Sequence, residues 1–266
     1  MIDNKESKTS DTISVKNIYT LKHTIIFADN CEITFKKNNE CIYVQKGNFV
    51  FIERGIHYSC EITKFNLEVS PFKVIPIDND LLTILKDMLI NIYSHKLNEK
   101  CLTRNLKDKV INVRNENDIS VLFKKIQKSN NTKVKAIKIA HLISITEECE
   151  NIIRSLFVSS AFTFTDKVKT TICADISKKW RLSMLADKFN VSEVTIRKRL
   201  ETEGTSFNNL LLDIRMSQAM KMLLENEKKI NQISNSIGIS SVSYFIRTFK
   251  EYYGLTPKQL IIFFCS

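Results

Sequence analysis

Proline is nearly missing from this chain of 266 residues: there are three, Pro71, Pro76 and Pro257, and none between Ile77 and Thr256. So long a stretch without a helix breaker leaves room for many uninterrupted helices. No apolar run approaches the roughly 18 residues that a spanning helix needs. The opening segment MIDNKESKTSDT is polar and lacks the apolar stretch of a secretory signal. The chain is therefore expected to be soluble and cytoplasmic, with no membrane partner. Its seven cysteines (31, 41, 60, 101, 149, 173 and 265) include no C-x-x-C pair, and their odd number and wide spacing argue against a disulfide framework or a zinc cage. Reduced thiols are expected. Also lacking are a Gly-rich phosphate loop, a Ser/His/Asp set, a solenoid repeat and any low-complexity tract. His57, in ERGIHYSC, has neither the second histidine nor the carboxylate of a metal site, so it reads as structural. No cofactor, metal or catalytic residue is expected.

What is abundant is positive charge. Forty Lys/Arg against 29 Asp/Glu give +11, and from Lys167 to Ser266 the count is 16 against 9. Such a chain is drawn to polyanions, although charge alone does not choose among DNA, RNA and an acidic membrane. Apolar residues make up 43% of the chain, enough for a sizeable core.

Residues 13–77 read as strands: IYTLKHTIIFA, CEITFKK and CIYVQKGNFVFIERGIHYSCEI are rich in β-branched and aromatic residues and are cut by turns at Lys46-Gly47-Asn48 and Glu53-Arg54-Gly55. An antiparallel barrel or jelly roll follows. Beyond Ile77 helical periodicity takes over. Leu81, Leu82, Ile84, Leu85, Met88, Leu89 and Ile92 form one broad face, and helical stretches follow at 119–126, 134–145 and 150–160. These helices flank the barrel or make a dimer surface. FTFTDKVKT (162–170) is the expected junction, giving domains of 1–163 and 164–266. The fold class is α+β: a β-rich N-terminal half with flanking helices, then an all-α domain.

Two helix-turn-helix units are legible in that second domain, at about 182–202 and 230–252. In the first, WRLSMLADKFNVSEVTIRKRLE, Leu182, Leu185, Ala186 and Phe189 face inward, and small Ala186 permits two helices to cross closely. Asn190-Val191-Ser192 makes the break, with Ser192 as cap for a helix whose inner face is Ile196 and Leu200. Arg197 and Lys198 lie on the outer face. In the second, INQISNSIGISSVSYFIRTFKEYYGLTP, Ile233 and Ile237 are inner residues, Gly238 supplies a positive φ and Ser240 the cap. Tyr244, Phe245, Phe249 and Tyr252 are expected to be buried, leaving Ser241, Val242, Ser243, Ile246 and Arg247 outside.

SVSYFIRTFK followed by GLTP resembles the signature of the AraC/XylS transcription regulators, over roughly residues 165–264. TDKV, KKW, VSEVTIRKRLE and QISNSIGISSVSYFIR are similar to its Rns/CfaD/ToxT branch of enteric virulence and fimbrial activators. Ser234, Ile239 and the missing arginine near Leu260-Ile261 depart from the usual pattern, and the Ser234 hydroxyl needs a partner. The resemblance implies that the N-terminal half is a cupin-like barrel and that one long helix, about Phe207 to Glu225, holds two recognition helices for successive major grooves of double-stranded promoter DNA. It implies base-facing Val194, Thr195, Arg197 and Lys198, then Ser241, Val242, Ser243, Ile246 and Arg247, with Lys179, Lys250 and Lys258 on phosphates. It further implies contact with RNA polymerase, a homodimer through the N-terminal domain, and an effector such as a fatty acid or bicarbonate. The effector candidates by position are Lys22 and His23, on the first strand, with Lys229 and Asn231. Two alternatives stand beside this reading: a cupin-like enzyme with an appended nucleic-acid-binding domain, and a non-specific nucleic-acid or RNA binder relying on charge.

Overall fold

The computed structural model describes residues 11–93, 104–115, 119–225 and 228–265. Cys101 and the polar opening residues lie outside these, as do the side chains of Ile92 and Cys265. The chain divides into two compact units, one of Met1–Ser160 with Phe263–Ser266 and one of Ala161–Ile262. Among the described residues no helix is long and apolar enough to cross a membrane.

Among its described residues the first unit holds eight strands: β1 (Asp11–Tyr19), β2 (His23–Phe27), β3 (Cys31–Lys37), β4 (Glu40–Val44), β5 (Phe49–Ile52), β6 (His57–Lys64), β7 (Lys73–Ile77) and β8 (Val110–Val113). They form two four-stranded sheets, β1-β6-β3-β4 and β7-β2-β5-β8, with every pairing antiparallel. Period-two alternation sets their faces: β6 buries Tyr58, Cys60, Ile62 and Lys64 and leaves the residues between them half-buried. β5 is buried at all four positions because both of its faces are covered. Phe49 and Phe51 join a helix-side core, while Val50 and Ile52 alternate to the opposite face. Pro76 lies in β7, at a sheet edge, where a missing N–H leaves no inner ladder broken.

Among the described residues, helix α1 (Asn79–Tyr93) lies between β7 and β8, and α2 (Ile119–Gln127), α3 (Thr132–Ser144) and α4 (Cys149–Val158) follow β8. Leu81, Leu85 and Leu89 of α1 join Phe123, Ile139, Ile143 and Ile153 in one core with Ile25, Phe27 and Ile75. Each such side chain contributes about 1.5–3 kcal/mol when fully withdrawn from water. Glu53, 5% exposed, accepts two hydrogen bonds from Arg104, at 3.1 and 2.5 Å, and one from Ser155 at 2.6 Å. That satisfies a carboxylate otherwise costly to bury. Burial pushes the thiols of Cys31 and Cys60 up to about 12, so both stay protonated and unreactive.

Two expectations are corrected here. β8 is a strand inside the region read as purely helical; three of its four residues, Val110, Ile111 and Val113, are β-branched, but four are too few to show a period, and pairing with β5 decides the matter. α5 (Phe164–Cys173) begins within the stretch 162–170, with Thr163 as cap and Asp166 closing a capping box, and the division into units falls just before it, between Ser160 and Ala161. Lys22 and His23 stand at the entrance to β2, after the first strand has ended.

The second unit continues with α6 (Leu182–Phe189), α7 (Glu193–Thr202), α8 (Phe207–Glu225), α9 (Ile230–Ser236), α10 (Val242–Tyr253) and α11 (Pro257–Cys265), whose last residues belong to the first unit. The jelly-roll-like pair of sheets with flanking helices, then an all-α unit, is the α+β class expected.

Candidate nucleic-acid interface

α6 and α7 make the first helix-turn-helix. Leu185 and Ala186 are buried, Leu182 and Phe189 half-buried. Asn190 ends α6 with φ of 52°, a left-handed conformation that asparagine tolerates better than most residues. Ser192 then caps α7 by accepting from the Thr195 N–H at 3.2 Å. Ile196 and Leu200 are wholly buried, which leaves Val194 58% exposed and Arg197 and Lys198 pointing to solvent. Thr195 is half-buried, and its hydroxyl lies 2.9 Å from that of Ser192. Arg197 donates from Nη2 to Glu193 one turn earlier at 3.4 Å.

α9 and α10 make the second. Gly238 takes φ of 75°, and a Cβ there would stand 2.6 Å from the Ser177 carbonyl oxygen and 2.8 Å from Arg215 Nη2. Both the backbone angle and the close approach require glycine. Ser234, fully buried, donates to the Ile239 carbonyl at 2.5 Å while the Ile239 N–H donates back to the Ser234 carbonyl at 2.9 Å. The hydroxyl that needed a partner thus clasps its own turn. The cap is Ser241, not Ser240: its side chain accepts from the Tyr244 N–H at 3.3 Å. Phe245 and Phe249 are wholly buried, and Tyr252 donates to Asp213 of α8 at 2.5 Å. Burial raises the Tyr253 phenol above its ordinary range.

Tyr244 corrects the sequence reading. It is 50% exposed, because α10 turns Phe245, Phe249 and Tyr252 inward and places Tyr244 on the outer side beside Arg247. The Arg247 guanidinium stands over its ring, 5.5 Å from the centroid. Ser241, Ser243 and Arg247 are exposed, Val242 and Ile246 half-buried, and Lys179, Lys250 and Lys258 exposed.

Two supports gave no signal in the sequence. Glu203, just after α7, accepts from the Phe164 and Thr165 N–H groups at 2.9 and 2.7 Å and so caps α5. Burial works to raise its pKa, but hydrogen bonds from Thr165, Phe164 and Thr163 prevail and hold it below the usual value. Arg215, on α8, donates to the Lys178 carbonyl at 3.0 Å.

Of the effector candidates, Lys22 is exposed, whereas His23 is wholly buried and its Nε2 lies 2.7 Å from the Ser159 hydroxyl. Ser159 spends its own proton on the Ser155 carbonyl at 2.5 Å, so His23 is the donor. Lys229 and Asn231 are exposed around the start of α9. His57 stacks on Tyr19 at 4.6 Å, and no group of three His, Cys, Asp or Glu able to hold a metal occurs among the described residues.

Two helix-turn-helix units in one helical unit, each with a basic outer face, define a DNA-binding regulator. Residues 185–261 match the family described as a helix-turn-helix domain. The chain is 39% identical over 263 residues, 99% of each chain, to the DNA-binding dual transcriptional regulator Rns of Escherichia coli. It is 37% identical over 242 residues, 91% of this chain and 92% of the other, to the virulence regulon transcriptional activator VirF of Shigella flexneri. Its fold is that of unsaturated fatty acid bound ToxT from Vibrio cholerae, at a TM-score of 0.66 and 21% identity over 97% and 92% of the two chains. The chain belongs to the AraC/XylS family of transcription regulators, in the branch that contains Rns.

Proposed function

We propose that this regulator reads promoter DNA with α7 and α10 in two successive major grooves, about 34 Å apart. The observation that carries the reading is that α7 turns Ile196 and Leu200 inward, α10 turns Phe245, Phe249 and Tyr252 inward, and Arg197 and Arg247 stay exposed. Val194, Thr195, Arg197 and Lys198 face bases from α7; Ser241, Val242, Ser243, Ile246 and Arg247 do so from α10. Lys179, Lys250 and Lys258 hold phosphates and fix register. A footprint of the full-length protein tests this: protection should cover about two helical turns and vanish steeply with salt. Equal binding to promoter and random duplex at about 150 mM salt would favour the non-specific, charge-driven reading.

The regulated genes are virulence or fimbrial genes, activated through contact with RNA polymerase, and the protein pairs through its N-terminal domain. These roles follow from the resemblance to its relatives. The effector is an anion, a fatty acid or bicarbonate, with Lys22 as its candidate residue in the first unit and Lys229 and Asn231 as its candidates in the second; His23, buried and spent on Ser159, is less suited. The support is that ToxT structures are described with a fatty acid bound. Fatty acid should then raise the melting temperature and change DNA affinity together, and Lys22→Ala should blunt both. Melting and binding unchanged at saturation would remove the fatty acid from this reading.

A further inference from the structure

Arg197 and Arg247 are the arginines assigned to base reading on α7 and α10, and each is held by a neighbour on its own helix. Glu193 holds Arg197 by accepting a hydrogen bond from Nη2, which spends a donor edge that a base would need. Tyr244 holds Arg247 differently, with the guanidinium over the ring face. A cation over a ring is restrained by the quadrupole, and all of its in-plane N–H groups stay available. Stacking orders the side chain without using what it reads with.

We propose that Tyr244 is a positioning residue that orders the Arg247 guanidinium for base reading, and so determines sequence specificity more than overall affinity. This rests on the assignment of Arg247 as a base donor. The test uses the full-length protein, a duplex it selects from a random pool, and single-base-pair variants of that duplex. Arg247→Ala should lose discrimination at one base pair. Tyr244→Leu should lose discrimination at the same pair by about two- to fivefold, the range of an exposed cation–π contact, with the salt slope unchanged. Tyr244→Phe should keep it, because the ring face and not the hydroxyl is used. The double variant Tyr244→Leu/Arg247→Ala should discriminate no worse than Arg247→Ala alone. If Arg247→Ala loses discrimination and Tyr244→Leu does not, or if the two losses add, the proposal fails while the base-reading assignment stands. Loss in Tyr244→Phe equal to that in Tyr244→Leu overturns it in favour of a direct contact by the hydroxyl. No loss in Arg247→Ala removes the assignment and the proposal together. Tyr244 is half exposed, so the variants should melt with the parent; should Tyr244→Leu melt lower, Tyr244→Met repeats the loss of the ring with a flexible apolar chain.

Discussion

The two helix-turn-helix units turn the same corner by different means. Between α6 and α7 the left-handed residue is Asn190, which is exposed, and the helix after it is anchored by two aliphatic residues, Ile196 and Leu200. Between α9 and α10 it is Gly238, pressed against the Ser177 backbone, and the helix after it is anchored by Phe245, Phe249, Tyr252 and Tyr253. The first unit is attached to its surroundings by a carboxylate cap, Glu203 on α5; the second by a phenol–carboxylate bond, Tyr252 to Asp213 of α8. An exposed corner with a small core tolerates change. A corner defined by backbone contact and aromatic packing does not.

The largest expected effect follows from that aromatic packing. Phe249 is wholly buried against Phe245 at 5.8 Å and Tyr253 at 4.7 Å, so Phe249→Ala should cost about 3–5 kcal/mol in denaturant unfolding. A loss below about 1 kcal/mol would mean the second unit is not the more rigid one. The two corners can be compared directly by the same measurement. Gly238→Ala meets both a positive φ and a backbone oxygen at 2.6 Å, and should destabilise by about 2–4 kcal/mol. Asn190→Ala has only the φ penalty and should cost about 1 kcal/mol, whereas Asn190→Gly should be neutral or stabilising. Equal costs at 190 and 238 would erase the distinction between the corners.

Binding separates the two faces of α10 next. Arg247→Ala should lose about 1–3 kcal/mol on the preferred site and relax one base pair. Lys250→Ala should weaken all duplexes alike and lower the salt slope by about one. Uniform loss from Arg247→Ala would make that residue a phosphate clamp and reverse the assigned orientation of the helix.

The smallest effect concerns Glu203 and acid. Its pKa is held below its ordinary value near 4.5, so the folded state binds this proton less readily than the unfolded chain. The stability it adds is therefore present above about pH 4.5 and is lost as pH falls through its folded value. Glu203→Gln should flatten the acid limb of the melting profile a little while leaving neutral stability lower than the parent's. The effect stays small because the side chain is exposed and screened. A profile unchanged below pH 5 would count against the cap.

Much of this molecule was legible as a string of residues. Strand alternation, the proline-free helical stretch, the cap Ser192 and the glycine turn at 238 are local properties, set by side-chain period and by backbone angles that few residues adopt. The SVSYFIRTFK…GLTP stretch carried the family with it because its spacing encodes one packing arrangement. Tertiary structure decided the rest. VINV became a strand because β5 offered an edge, His23 was drawn into the core where Ser159 could accept from it, and Ser234 found its acceptor across a turn. Tyr244 went outward because three neighbouring aromatics already filled the inner face, leaving its ring beneath Arg247. Those outcomes depend on which partner stands opposite, and a linear pattern of apolar and polar residues does not carry that information.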